Sequence, residues 1–272
     1  MPRLDDTFAT LRAQRRTGLV TYVTAGDPDL DRSARVLMAL DRAGADVLEV
    51  GVPFSDPVAD GPVIERAAER ARAAGGTLAS TLDLVARVRP AVRAPIVLFT
   101  YVNPLLAMTE RGFAERARSA GVDGVLVLDL PVEEADAFRL TLASAGIDMV
   151  FLLSPTTTDR RIERAASLGR GFLYAISRLG VTGARDTLPV GARELVARIR
   201  RKTALPVALG FGLSRPEHIR QVGAFADAAV VGSALVSVIA ESADAPDLEK
   251  RVERYVGWLK GAAPDAARPE AV

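Results

Sequence analysis

Short apolar runs rich in Val, Ile and Leu recur along the chain, and each is followed by a segment whose apolar positions return every three or four residues. The runs predict strands at Leu19–Thr24, Val47–Val50, Ile96–Tyr101, Gly124–Leu128, Met149–Leu153, Phe172–Ile176, Val207–Leu209 and Ala229–Val231. Most are apolar on both faces, the pattern of a parallel sheet covered by helices. The intervening segments predict amphipathic helices at Leu30–Ala43, Ala79–Val88, Thr109–Ala120, Glu133–Ala145, Asp159–Leu168, Gly191–Arg201 and Arg215–Val222. Gly44, Gly121, Gly146, Gly169 and Gly223 stand near the ends of such segments, where a left-handed terminal residue is wanted.

Eight strands alternating with about eight helices over some 240 residues predict an α/β fold of the (β/α)8 TIM-barrel type. A doubly wound open sheet is the competitor, but it would show fewer strands, and no G-x-G-x-x-G follows the first one. Residues 3–15 and 246–261 read as extra N- and C-terminal helices outside the barrel core. No linker or low-complexity tract interrupts the pattern. The expectation is a single domain over 1–272, with a core at about 17–242 and a frayed tail at 262–272.

Composition narrows the partners. Of 272 residues, 49% are hydrophobic and 25% charged, enough for a sizeable core. The 35 basic and 34 acidic side chains nearly cancel, so nothing asks for nucleic acid or an anionic membrane. No Cys is present, which removes disulfides, thiolate chemistry and Cys-ligated metals. No window reaches the roughly 18 apolar residues of a membrane span, and the amphipathic start lacks the apolar centre of a secretion signal. A soluble cytoplasmic protein is expected.

In a barrel of this kind, chemistry sits at the C-terminal ends of the strands. Glu49 lies within Val47–Gly51, and period-2 alternation sets it opposite Leu48 and Val50. If those two meet the helices, Glu49 points into the barrel. An unpaired carboxylate there costs several kcal/mol, so it is either salt-bridged or held for chemistry. An apolar setting would keep it protonated toward neutral pH, suiting it to give and retrieve a proton. Asp60 lies in the long loop before Pro62, which fits a first helical position with Gly61 as cap. Taken alone, Asp60 reads more readily as a capping residue than as a catalyst. Gly210–Ser214 after the seventh strand and Gly232-Ser233 after the eighth suit phosphate, through close backbone N–H groups and a helix N-terminus, with ordinary tight turns as the other reading. The sixth loop, Arg178–Arg185, reads equally as a hinged lid or a plain surface loop. Lys occurs only at Lys202, Lys250 and Lys260, none on a predicted strand, which argues against a Schiff base. His218, the one histidine, is expected on the surface of the seventh helix, so neither a His base nor a His-ligated metal is expected. A phosphate-binding barrel using carboxylate, hydroxyl and backbone groups remains.

Leu48–Pro62, reading LEVGVPFSDPVADGP, resembles the signature of the tryptophan synthase α-subunit family over its whole length. The likeness continues through YVTAGDP at Tyr22–Pro28, TYVNP at Thr100–Pro104, DLPVEE at Asp129–Glu134 and YAISRLGVTGA at Tyr174–Ala184. It ends with LGFGLS at Leu209–Ser214 and VGSALV at Val231–Val236. The order and spacing are the family's, and Tyr22 stands where the family has an aromatic residue.

The resemblance implies retro-aldol cleavage of indole-3-glycerol phosphate to indole and D-glyceraldehyde 3-phosphate. Glu49 would protonate the ring carbon, Asp60 would hold the ring N–H, and Tyr174 would assist. Tyr22, Ile64, Phe99, Tyr101 and Phe211 would wall the pocket, and Thr182 would close over it. Gly183, Gly212, Gly232 and Ser233 would hold the phosphate. The resemblance also implies a β subunit carrying pyridoxal phosphate, met through Asp56, Pro57 and Pro131 in an αββα heterotetramer, with no cofactor or metal in this chain. The readings left open are a stand-alone indole-releasing lyase, another phosphate-binding barrel isomerase or epimerase, and a non-enzymatic subunit that binds phosphorylated ligands.

Overall fold

Residues 2–176, 190–210 and 212–261 are described by a computed structural model. The strands are β1 Gly18–Thr24, β2 Val47–Gly51, β3 Ile96–Thr100, β4 Gly124–Val127, β5 Asp148–Leu153, β6 Leu173–Ile176, β7 Val207–Gly210 and β8 Ala228–Val231. All pair in parallel, and β8 returns to β1, so the sheet closes as a barrel in sequence order. Every predicted strand is present, with boundaries within one residue. Strands buried on both faces leave little ambiguity in a sequence pattern.

The two faces of the sheet feed different cores. Leu19, Leu48, Val50 and Leu98 face outward into the layer shared with the helices. Val20, Val47, Val97, Leu126, Val150 and Phe172 face inward. The helix Arg3–Ala13 joins that inner group, with Leu4, Phe8 and Leu11 buried in it and the Phe8 and Phe172 rings 5.4 Å apart. This corrects its placement outside the barrel core: it plugs the N-terminal end, because three apolar residues on one helical face have the open barrel bottom to cover. The C-terminal helix Leu248–Leu259 does lie outside, strapped to the helix Leu30–Arg42 by Arg35–Glu249 and Arg42–Glu253 ion pairs.

Several helices differ from expectation. Thr109 is a cap rather than a helical residue, its hydroxyl accepting the Gly112 N–H, and a further helix spans Val102–Met108. The helix expected from Glu133 begins at Asp136, after a turn in which the Glu134 N–H reaches Pro131 O. Gly44, Gly121 and Gly146 take left-handed φ values of 86°, 84° and 74°. Gly169 and Gly223 do not. Gly169 is extended, and a Cβ at Gly223 would stand 2.0 Å from Thr17 Oγ1, so close approach and not φ explains that glycine.

Aspartates at strand entrances tie neighbours together. The Asp46 N–H donates to Leu19 O, while Asp46 Oδ2 accepts the Leu19 N–H at 2.8 Å and Arg16 grips both carboxylate oxygens. Asp123 and Ile96, and Asp227 and Val207, repeat that reciprocal pair. Replacing Asp46 with Ala is expected to destabilise the barrel by about 2 kcal/mol, the scale of a charge-assisted hydrogen bond. A lower urea midpoint would show it; an unchanged midpoint would assign the clamp no role.

Candidate active site

The alternation read from the sequence holds. Leu48 and Val50 pack against the helices, and Glu49 points inward, 1% exposed, between Tyr22 on β1 and Val97 on β3 in the strand register. Among the described residues neither carboxylate oxygen of Glu49 has a hydrogen-bond partner, and none forms the salt bridge that reading requires. Burial, followed by repulsion from Asp60, raises its pKa to about 8.

Asp60 lies on the rim loop after β2. The helix Pro62–Ala73 starts with Pro62 behind the cap Gly61, which makes no side-chain capping bond, and the Asp60 carboxylate faces Tyr101 instead. Asp60 is therefore not the cap of that helix. The Tyr101 hydroxyl accepts the Ala59 N–H at 3.1 Å, and its ring lies 5.2 Å from that of Phe54, fixing the loop to the end of β3. Burial pushes Asp60 up to about 6, Tyr101 restrains the rise and Glu65 adds to it. Asp60 therefore ionises first, and its charge then holds the proton on Glu49.

Two phenols flank Glu49. Tyr22 leans across to β2, where a Cβ on Gly51 would stand 2.1 Å from its hydroxyl. Tyr174 on β6 leans to β7, where a Cβ on Gly210 would stand 2.4 Å away. Glycine is required at both positions to seat the rings. Both hydroxyls are held protonated, chiefly by burial and then by nearby carboxylates. Tyr22, Ile64 and Phe99 pack together as one apolar wall, with the Tyr22 and Phe99 rings edge to face at 5.1 Å. The arrangement leaves an acid, an anion and an aromatic wall at the open barrel end.

Beside this wall lies the glycine region. Gly212 takes φ +73°, with open space where a Cβ would be. Gly232 caps the helix Ser233–Glu241 without any side-chain bond, and its missing Cβ faces Tyr22 at 3.5 Å. First-turn N–H groups have no intrahelical acceptor, so this end of the helix suits an anion. His218 contradicts its expected surface position. It is 2% exposed, and its Nδ1 accepts the Ser214 N–H at 3.1 Å, bracing the glycine turn from behind. An i, i+4 pairing of Ser214 with His218 across a helix start was the available sequence signal.

Thr182, Gly183 and Phe211, with the Arg178–Arg185 loop and the tail after Gly261, lie outside the described residues. Asp56, Pro57 and Pro131 lie on rim loops, Asp56 and Pro131 exposed and Pro57 half-buried. Two large apolar side chains are exposed on neighbouring stretches, Val58 at 85% and Leu106 at 56%. An open cleft of about 420 Å³ lies alongside, lined by residues including Pro53, Phe54, Leu78, Pro104 and Met108, and neither Glu49 nor Asp60 borders it. Among the described residues no group of three or more His, Asp or Glu side chains could hold a metal ion, and no helix is long and apolar enough to cross a membrane.

Comparison with known proteins agrees over nearly the full length. The profile described as "Tryptophan synthase alpha chain" matches residues 8–263. A tryptophan synthase alpha chain of Methylococcus capsulatus is 49% identical over 252 residues, covering 92% of this chain and 94% of its own. That of Burkholderia thailandensis is 46% identical over 272 residues, with all of both chains covered. Tryptophan synthase subunit alpha from Legionella pneumophila superposes with a TM-score of 0.88 at 33% identity, covering 98% of this chain and 100% of its own. A structure of the tryptophan synthase a2b2 complex from Pyrococcus furiosus matches with a TM-score of 0.84 at 40% identity, over 90% of this chain and 98% of that one. With a family match across most of its length, relatives near half identical, and a closed barrel shared with them, this chain belongs to the tryptophan synthase alpha chain family.

Proposed function

We propose that Glu49 and Asp60 divide the cleavage of indole-3-glycerol phosphate between them. Glu49 starts protonated and gives its proton to the indole ring carbon that bears the glycerol side chain. Positive charge grows on the ring nitrogen, and ionised Asp60 holds that N–H. The Glu49 carboxylate then takes the proton of the adjacent glycerol hydroxyl. The carbon–carbon bond breaks, its electrons return to the ring, and indole and D-glyceraldehyde 3-phosphate result. Glu49 ends as it began. The observation that carries this reading is a buried carboxylate without a partner among the described residues, placed beside a second, ionised one.

Tyr22, Ile64, Phe99 and Tyr101 enclose the flat ring, and Tyr174, near enough to feel the Glu49 charge, helps position the reacting groups. Gly212, Gly232 and Ser233 receive the phosphate through backbone N–H groups, and Gly183 and Thr182 extend that site from the sixth loop. Phe211 is assigned to the pocket wall. The chain works as one domain over 1–272, in the cytoplasm, without nucleic acid or membrane.

Indole passes to a β subunit in an αββα assembly, where it is joined to serine. Pyridoxal phosphate belongs to that partner, since none of the three lysines here lies on a strand. Asp56, Pro57 and Pro131 form the docking rim, and exposed Val58 and Leu106 supply apolar contact of the kind an interface buries. Indole release from indole-3-glycerol phosphate, measured with and without a β subunit, tests the assignment. Slow release that the β subunit accelerates supports it; fast release unaffected by any β subunit would assign a stand-alone lyase.

The pKa values set the working range. Below about pH 6 Asp60 is protonated and cannot oppose the ring charge, and above about 8 Glu49 has no proton to give. A plot of kcat/KM against pH is therefore expected to be bell-shaped, rising through about 6 and falling through about 8. Activity undiminished at pH 10 would remove Glu49 from the role of acid.

A further inference from the structure

One polar atom of the pocket has a location that wall-forming does not explain. Tyr22 pairs directly with Glu49 in the β1–β2 register, and both side chains point into the barrel. Its ring leans toward the mouth until the hydroxyl stands over Gly51, two residues beyond Glu49 on the same face of β2. The hydroxyl thus sits on the mouth side of the Glu49 carboxylate. Among the described residues its hydrogen-bond partner is Thr24 Oγ1 at 3.5 Å, the outer limit of such a bond. A buried donor with a poor partner thus belongs to the residue paired in register with Glu49, whose two buried acceptor oxygens have none among the described residues.

We propose that the Tyr22 hydroxyl is a positioning group for Glu49, donating a hydrogen bond to the carboxylate once Glu49 has given up its proton. The inference rests on the proposed cleavage reaction and adds a role for an atom that reaction does not use. Among the described residues, the groups facing Glu49 leave this task open. Asp60, from the rim loop, is an anion and repels it. Val97 and Phe99, from β3, carry no polar atom. Tyr174, from β6, is the other phenol, and its hydroxyl is seated against Gly210 across the barrel. Tyr22 is buried and kept protonated by its surroundings, so a donor is available throughout the pH range in which Glu49 titrates. The bond strengthens when Glu49 becomes charged, since an ionised acceptor binds a hydroxyl more tightly than a neutral one does. The two groups are not hydrogen-bonded while Glu49 is protonated, so making the bond takes a turn of the Glu49 side chain as well as of the hydroxyl hydrogen.

Tyr22→Phe removes this one oxygen and keeps the ring against Phe99. A donor that favours the ionised form lowers a carboxyl pKa, so its loss raises that of Glu49. The alkaline limb of the pH–rate profile is expected to move up by about one pH unit, with kcat about tenfold lower and KM within about twofold. A limb that stays where the wild type has it overturns the proposal, whatever happens to kcat, because a simple packing defect would leave that limb in place. The carboxyl carbon-13 resonance of Glu49, assigned by its loss in Glu49→Gln, gives a readout free of turnover. In the unliganded protein its titration should move to higher pH in Tyr22→Phe, and an unchanged titration sinks the idea. Absence of cleavage by the wild type would instead strike at the proposed reaction, and the two failures are separable.

Discussion

Glu49→Gln is expected to lower kcat by about three powers of ten, within the range that a positioned acid–base group supplies, while KM changes little. Glutamine nearly matches the volume of the acid but has no proton to give to carbon and cannot take one from a hydroxyl. Both halves of the proposed cycle are lost together, so the effect should exceed that of any other single change in the pocket. A stability measurement separates chemistry from folding. The folded wild type keeps a proton on Glu49 up to about pH 8, whereas the unfolded chain releases it near the ordinary value of 4.5. Folding therefore binds a proton across that window, and wild-type stability falls as pH rises through it. Glu49→Gln lacks this part of the slope, so the mutant's deficit in turnover should come without a matching loss of stability above pH 8. Near-normal cleavage by Glu49→Gln would end the assignment.

Asp60→Asn is expected to lower kcat by about two to three powers of ten, the scale found when a preorganised electrostatic contact to developing charge is removed. The amide still accepts a hydrogen bond from a ring N–H but brings no negative charge. A second consequence has the opposite sign from that of Tyr22→Phe. The Asp60 charge is one of the causes that raise Glu49, so neutralising it lets Glu49 ionise at lower pH. The alkaline limb of the residual activity should shift down, and the acid limb near 6 should disappear. Were both limbs to stay in place, the bell would have to come from other groups.

Much of this was legible in the sequence because it depends on local periodicity. Two-faced apolar runs mark strands that are covered on both sides, and their spacing marks a closed parallel barrel. Alternation around Leu48 and Val50 put Glu49 on the inward face before any contact was known, since a strand has only two faces. The glycine turns after β7 and β8 were marked by residues that few other roles require. Misreadings came where a long-range contact decides. His218, read as a surface residue on an amphipathic helix, is the local exception: it braces Ser214 only four residues away. Gly223 looked like a left-handed helix end, but Thr17, far earlier in the chain, is what excludes a side chain there. The first helix read as an appendage, because nothing local shows that a barrel bottom waits to be covered. The short Val102–Met108 helix was hidden by Pro104 and by its length.

By itself, the sequence determined the order of strands and helices, the inward acid on the second strand and the family motifs, because each is carried by neighbouring residues and a two- or three-to-four-residue period. Only the closed barrel decided that Asp60 faces Tyr101 and not its own helix, that Glu49 has no partner among the described residues, and that Tyr22 stands over Gly51. Those facts depend on strand register and barrel closure, which bring residues from separate strands and loops within a few ångströms. No local pattern encodes that distance, and it sets both the burial and the repulsion that hold a proton on Glu49.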